Sequence, residues 1–386
     1  MKKSWRYVIK HWKISGFILL FAVLGTAFVI ISHASPASIS IEAVNGTLSG
    51  GASIVSDPSA SSGSYVQFGN QAGYRLSWAP PQCGDSTHSC QTMNLSNTGS
   101  HQTLGLSSTS DYKINLPTTG PLVGGLTLYG GHNITIIGGE VDLSTPCTTD
   151  SGPCHGFNIS RSSTDTGTIH IEGVYIKNPD PTHSKYTGDG IDINGAENTD
   201  FHFENMRIEG IDGCDSGAQP SAHADVFQPY GGAHNIYIDH LTGTSDFQGM
   251  EVKEGDNGST INSAIFKDVN IDGFYNSHGC TTTQYLWWST ASAGGFNCTV
   301  YPTTLTNDYV NPYSSFTISH GVVWPDTNTT FGCPASIANG TASWPNIPNL
   351  SNGPGGAGVI TQGQPSGGDF VPASAIGLGY ISPGYQ

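Results

Sequence analysis

His132-Asn133-Ile134-Thr135-Ile136-Ile137-Gly138-Gly139, Thr168-Ile169-His170-Ile171-Glu172-Gly173 and Asp200-Phe201-His202-Phe203 share one short pattern. Asn235-Ile236-Tyr237-Ile238 and the run from Ile265 to Ile271 continue it. Apolar residues alternate with polar ones over four or five positions, with Gly or Asn nearby, which is the period of a short strand. Counted from Ile134, Ile169, Phe201, Ile236 and Ile265, the pattern returns every 29 to 35 residues.

A companion set of strands lies between these. It includes Gly124-Gly125-Leu126-Thr127-Leu128-Tyr129, Gly156-Phe157-Asn158-Ile159, Gly190-Ile191-Asp192-Ile193, Asp225-Val226-Phe227-Gln228 and Gly249-Met250-Glu251-Val252, with Ser315-Phe316-Thr317-Ile318 as the last. Strands this short cannot bury their apolar sides singly, and coiling the chain so that each turn stacks on the last solves the problem. A propeller blade needs four strands in about 40 residues, and a leucine-rich repeat would show Leu and helical segments. The expected fold is therefore all-β, a right-handed parallel β-helix (solenoid) over residues 111–330. Residues 331–386 read as a Gly/Pro-rich C-terminal segment, whose tail from Asn352 to Gln386 is expected to be loosely ordered.

Composition agrees. Gly 51, Pro 22 and only 11% charged residues leave little to build solvated helical faces. At the N-terminus, Lys2, Lys3, Arg6, Lys10 and Lys13 precede an apolar run from Gly16 to Ile31 and then Ser32-His33-Ala34. Residues 1–34 read as a cleaved signal peptide or an uncleaved N-terminal membrane anchor helix. Either places the body outside the cytoplasm, secreted or surface-anchored, because the basic flank stays inside. The 8 cysteines fit an oxidising compartment. Cys83/Cys90 and Cys147/Cys154 repeat a spacing suited to local disulfide loops, and Cys214–Cys280 with Cys298–Cys333 are the preferred remaining pairs. No pair has the two-residue spacing of a zinc knuckle, so a structural metal is not expected.

Lys+Arg number 13 against 29 Asp+Glu, and with the N-terminal positives set aside the body is more acidic still. Such a chain will not hold nucleic acid or an anionic membrane by charge. The expected partner is a polysaccharide, neutral or accompanied by a screening cation, bound by a monomer.

Residues 35–110 begin with Ile41-Glu42-Ala43-Val44-Asn45-Gly46 and reach Ser61-Ser62-Gly63-Ser64-Tyr65-Val66, which resembles the opening of a β-sandwich carbohydrate-binding module. The space is too short for a whole module, so a small leading β segment and linker is expected. From residue 112 to 330 the chain looks like the pectin-lyase-like superfamily of right-handed parallel β-helices. Gly188-Asp189-Gly190-Ile191-Asp192-Ile193 is similar to a motif of its polygalacturonase family. The Asp-Asp pair and the Gly-His-Gly that follow in that family are absent here. The resemblance implies glycan cleavage by a glycosidase or a lyase.

In a solenoid, equivalent positions on successive coils stand about 4.8 Å apart. Aligned strands place Asp189 beside Asp225 and Gln248, and predict the ladders Asp192–Gln228–Glu251 and Asn194–Tyr230–Lys253, with His223 entering before Asp225. Asp189, Asp192, His223, Asp225, Glu251 and Lys253 are the candidate catalytic groups. Asp189, Asp225 and Glu251 are candidate Ca²⁺ ligands, since that ion takes oxygens. Asp192 and Glu251, two coils apart, approach the carboxylate separation of an inverting glycosidase. A lyase would instead need the cation and a base such as Lys253. Gln228, Tyr230, Trp287 and Trp288 are the candidate sugar contacts. A non-catalytic glycan-binding or structural surface protein, and a uronate epimerase, are the competing readings.

Overall fold

The computed structural model describes residues 53–56, 64–67, 74–144, 155–179, 188–213, 223–252, 260–275, 284–288, 301–313, 316–324, 334–347, 349–351 and 358–386. The chain divides into two compact units, Met1–Phe68 and Gly69–Gln386. In the first, Ser53–Ser56 and Ser64–Gln67 form an antiparallel pair with Ser53 opposite Gln67. Residues 1–34 lie outside the described part, and no described helix is long and apolar enough to cross a membrane.

The second unit consists mostly of parallel strands in two sheets. The shorter sheet runs in space from Val323–Trp324 through Tyr285–Trp288, Gln248–Glu251, Phe227–Gln228, Ile191–Asn194, Phe157–Ser160 and Leu126–Gly130 to Gln102–Leu106. The longer sheet contains Ser89–Asn94, Ser110–Asn115, Ile134–Ile137, Gly167–Glu172, Ala196–Ile211, Ala233–Ser245 and Ile261–Gly273 in that order, then Asp308–Asn311 and Val359–Gln362. Each sheet pairs strands that are neighbours one repeat apart, so the chain alternates between the two. The unit is all-β with stacked parallel sheets, an arrangement compatible with a β-helix.

Register follows the apolar pattern. In the shorter sheet Leu126, Phe157, Ile191, Phe227, Met250, Trp287 and Val323 stand in one inward column, each fully buried. In the longer sheet Ile136, Ile171, Phe203, Ile238, Phe266 and Leu305 form another. The column of strand starts is Ile134, Ile169, Phe201, Ile236 and Ala264. The expected start at Ile265 is therefore one residue late. A one-residue shift exchanges the two faces of a strand, and Ile265 lies on the outward one.

One backbone feature recurs at the same position of each coil. Gly138, Gly173, Asn205, His240, Asp268 and Asn307 have φ of 67°, 68°, 52°, 61°, 57° and 61°. All six follow residues aligned in register: Ile137, Glu172, Glu204, Asp239, Lys267 and Thr306. A left-handed residue turns the chain, so that Val174, Met206, Leu241 and Val269 enter the core after it. Gly, Asn, Asp and His tolerate this conformation better than other residues do. At Gly173 a Cβ would also stand 2.1 Å from the Tyr380 ring.

The expectation that the C-terminal segment is loosely ordered is corrected by residues 358–386. The Phe370 N–H donates to Asn270 Oδ1 at 3.1 Å, and the Val371 N–H to Thr242 Oγ1 at 3.0 Å. The Gly377 N–H donates to the Gly173 carbonyl at 3.0 Å, and the Gln386 N–H to the Leu76 carbonyl at 3.0 Å. This tail lacks apolar periodicity because it is held by hydrogen bonds to the outside of the longer sheet. Of the expected disulfides, Cys83–Cys90 is formed, with Cα atoms 5.2 Å apart; the other six cysteines lie outside the described residues.

Phe203 is fully buried and meets Phe227 edge-on with ring centres 5.6 Å apart, linking the two sheets. Phe203→Ala is expected to lower unfolding free energy by about 3–5 kcal/mol, whereas Tyr129→Ala at the surface changes it by less than about 0.5 kcal/mol. Urea denaturation followed by Trp fluorescence measures both.

Candidate functional site

Four consecutive coils of the shorter sheet share a frame in which two inward residues are flanked by two that leave the core. These are His155-Gly156-Phe157-Asn158, Asp189-Gly190-Ile191-Asp192, Asp225-Val226-Phe227-Gln228 and Gln248-Gly249-Met250-Glu251. Gly156 and Gly190 are required by space: a Cβ at either would meet the backbone oxygen of the next coil at 2.5 Å and 2.6 Å. The flanking positions stack into two polar rows. One is His155, Asp189, Asp225, Gln248; the other is Asn158, Asp192, Gln228, Glu251.

The expected neighbours are indeed brought together. Asp189 Oδ1 accepts from the Asp225 N–H at 2.7 Å. Asp192 stands opposite Gln228 in register, and the Gln228 side-chain amide donates to Glu251 Oε2 at 2.6 Å. Asp189, Asp192, Asp225, Gln248 and Glu251 are each 5% exposed or less. They are covered groups and not the solvated strand face that an outward polar row would ordinarily be.

The residue that organises the cluster is His155, which sequence reasoning did not single out. Its Nδ1 lies 2.9 Å from the Asp189 N–H and 3.1 Å from Asp189 Oδ2. A neutral imidazole accepts from the former, and an imidazolium donates to the latter. Ligand atoms of His155, Asp189 and Asp192 all lie within 4.8 Å of one another. The signal was available: Gly156-Phe157-Asn158 aligns with Gly190-Ile191-Asp192, and one step back puts His155 opposite Asp189. His101, just before Gln102–Leu106 and two strands away from His155 in the sheet, adds a second imidazole. It contacts the Gly124 carbonyl at 2.7 Å and Thr127 Oγ1 at 2.8 Å.

Electrostatics divide the roles. Burial and then the neighbouring Asp189 charge push the Asp192 carboxyl from 3.8 up to about 7. Asp192 Oδ1 is buried and finds no hydrogen-bond partner among the described residues. Burial opposes protonation of His155, but its hydrogen bond to Asp189 and the charges of Asp189 and Asp192 outweigh this and raise it above 6.5. Asp192 thus holds its proton near neutrality with one oxygen lacking a partner among the described residues, while both Asp189 oxygens are engaged.

The remaining expectations divide. His223 is exposed, 5.6 Å ring to ring from Phe247, and Tyr230 is also exposed. Trp287 is corrected as a sugar contact: it is fully buried, edge-on to Phe266 at 5.4 Å, because it occupies the inward column. Trp288, on the outward side in register with Glu251, lies 5.7 Å from the Trp324 ring. Lys253 lies outside the described residues. The set His155, Asp189 and Asp192 includes an imidazole, which suits a transition cation better than Ca²⁺. Among the described residues no group of three close potential ligands includes the expected Asp225 or Glu251.

The chain matches no protein-family model, no curated protein and no solved structure.

The cluster makes stability depend on pH with a definite sign. The folded protein keeps a proton on Asp192 between 3.8 and about 7, where the unfolded chain has lost it, and His155 acts in the same direction above 6.5. The stability from these protons is full below the unfolded values and is lost as pH rises through the folded ones. The urea midpoint is expected to fall from about pH 4 to about pH 8, and Asp192→Asn to make that fall shallower, while Glu204, raised by burial from 4.5 to about 8, keeps its own share.

Proposed function

We propose that this chain is an exported, polysaccharide-active protein of the right-handed parallel β-helix class, resembling the pectin-lyase-like superfamily, and that it hydrolyses a glycan at the row Asn158–Asp192–Gln228–Glu251. The observation that carries this reading is Asp192: a buried carboxyl holding its proton near neutral pH, with one oxygen unpartnered among the described residues. A general acid working at such pH needs that combination. Asp192 would protonate the leaving glycosidic oxygen. Asp189, fixed by the Asp225 N–H and by His155, supplies the charge that keeps the Asp192 proton in place. Glu251 would activate water. It stands two strand spacings from Asp192, roughly 9–10 Å, beside the inverting range. Gln228, hydrogen-bonded to Glu251, holds that spacing.

The acidic composition favours a neutral sugar or one that arrives with a cation. Ca²⁺-assisted β-elimination would use Asp189, Asp225 and Glu251 as oxygen ligands and Lys253 as base. A second reading, a glycan-binding protein without catalysis, is favoured by the cover over the row, since Asp189 and Asp192 are each only 5% exposed.

A panel of neutral and acidic polysaccharides, with Ca²⁺ or with chelator, separates these readings. Hydrolysis releases reducing ends without ultraviolet absorbance, and elimination releases absorbing unsaturated products only with Ca²⁺. Asp192→Asn is expected to lower kcat by about 10²–10⁴-fold with little change in folding. Binding without any product, in wild type and variant alike, would select the binding protein.

A further inference from the structure

On the longer sheet, away from the row just described, Glu172, Glu204 and Asp239 occupy one outward position on three successive coils, in register. All three are fully buried. They are covered by the C-terminal segment and by residues 76–78: the Tyr380 hydroxyl donates to Glu172 Oε1 at 2.6 Å, Tyr385 to Glu172 Oε2, and the Trp78 N–H to Glu204 Oε1 at 2.9 Å. Asp239 pairs with Lys267 Nζ at 3.0 Å and also contacts His240 Nδ1. Glu172 is satisfied by the two phenols and by His170 Nε2 at 3.1 Å. Glu204, between two other carboxylates, is left with an unmatched oxygen.

That oxygen faces a second unmatched atom. Where His170 Nε2–H donates to Glu172 Oε2, the other ring nitrogen, Nδ1, is left to present its lone pair on the far side. His170 Nδ1 and Glu204 Oε2 are 3.8 Å apart. Both residues are fully buried, and neither atom finds a hydrogen-bond partner among the described residues. A proton shared between them would draw them to about 2.7–2.9 Å, and an imidazolium would aim its N–H across the same over-long gap. Two atoms bound to one zinc-like ion at about 2.1 Å stand roughly 3.4 Å apart at a tetrahedral angle and at most about 4.2 Å apart, so the gap fits. Glu172 then plays the part of the carboxylate that orients a metal-bound imidazole. The buried Nδ1 of His202, also without a partner among the described residues, stands on the next coil in register with His170.

We infer that His170 Nδ1 and Glu204 Oε2 bind a divalent transition cation of the zinc type beneath the C-terminal segment. An imidazole–carboxylate donor set of this kind suits zinc and its neighbours better than Ca²⁺. The cation locks the C-terminal tail over the sheet, because the tail's own Tyr380 and Tyr385 hold Glu172, and Glu172 holds His170. Cysteine spacing carries no trace of it, since none of its ligands is a cysteine.

The test is metal analysis of the full chain expressed with Zn²⁺ and dialysed against buffer. Wild type is expected to retain one equivalent of zinc that Glu204→Gln and His170→Gln each lose, with a lower thermal midpoint. Asp192→Asn retains it, which separates this site from the other face. Glu172→Gln weakens zinc roughly 10- to 100-fold without abolishing it. Circular dichroism establishes that each variant is folded before its zinc is counted. Wild type without retained zinc, or folded Glu204→Gln with as much zinc as wild type, overturns the proposal; the first outcome needs no variant at all.

Discussion

Parallel pairing in fixed register is the interaction on which everything else in this molecule rests. It sets residues distant in sequence, from 21 positions apart for Ser89 and Ser110 to 52 for Asp308 and Ile360, at the spacing of neighbouring strands, roughly 4.8 Å. The backbone hydrogen bonds that do this are indifferent to side-chain charge. The apolar columns through Phe203 and Ile191 fix the phase, and whatever lies on the outward side is then stacked like on like. The acidic rows are therefore a consequence of the core. Asp189 cannot move away from Asp225 unless Ile191 and Phe227 also lose register.

Each coil is kept in phase by its left-handed corner. The six corner residues are Gly, Gly, Asn, His, Asp and Asn, and a β-branched residue there would be strained in every coil. The corner also decides which residues reach the outer face, since Glu172, Glu204 and Asp239 each stand immediately before it. The outward acidic positions thus lie at fixed offsets from a conformational constraint.

Strand order and the ladders Asp189–Asp225 and Asp192–Gln228–Glu251 were readable in the sequence, because alternation and Gly-containing turns mark phase directly. Ile265 was misplaced by one residue because Ala264, a small inward residue, carries little apolar signal. His155 went unremarked because the frame was aligned from Gly156 onward. Trp287 and Trp288 look alike in sequence, and only the parity of the strand separates the buried ring from the outward one. The C-terminal tail was unreadable for a different reason: its order comes from hydrogen bonds to Thr242, Asn270 and Gly173, partners about 100 to 200 residues away.

Stacked carboxylates must each be neutralised, and this chain has few positive side chains to do it, 13 Lys and Arg against 29 Asp and Glu. Where a cationic residue is at hand it is used: Lys267 on Asp239, Lys177 on Glu140, Arg207 on Glu209 and Asp369. On the shorter sheet none of the described cationic residues pairs with Asp192, and the remaining means there is a proton, kept by burial and by Asp189. A proton held in this way can be given up, so the same shortage that makes the row costly to bury makes it able to act as an acid. On the longer sheet burial and the charges of Asp239 and Glu172 raise the Glu204 carboxyl from 4.5 to about 8, and a bound cation is the counter-charge proposed for it. One compositional fact, acid in excess in a fold that stacks it, thus sets the same problem of neutralisation on the two faces.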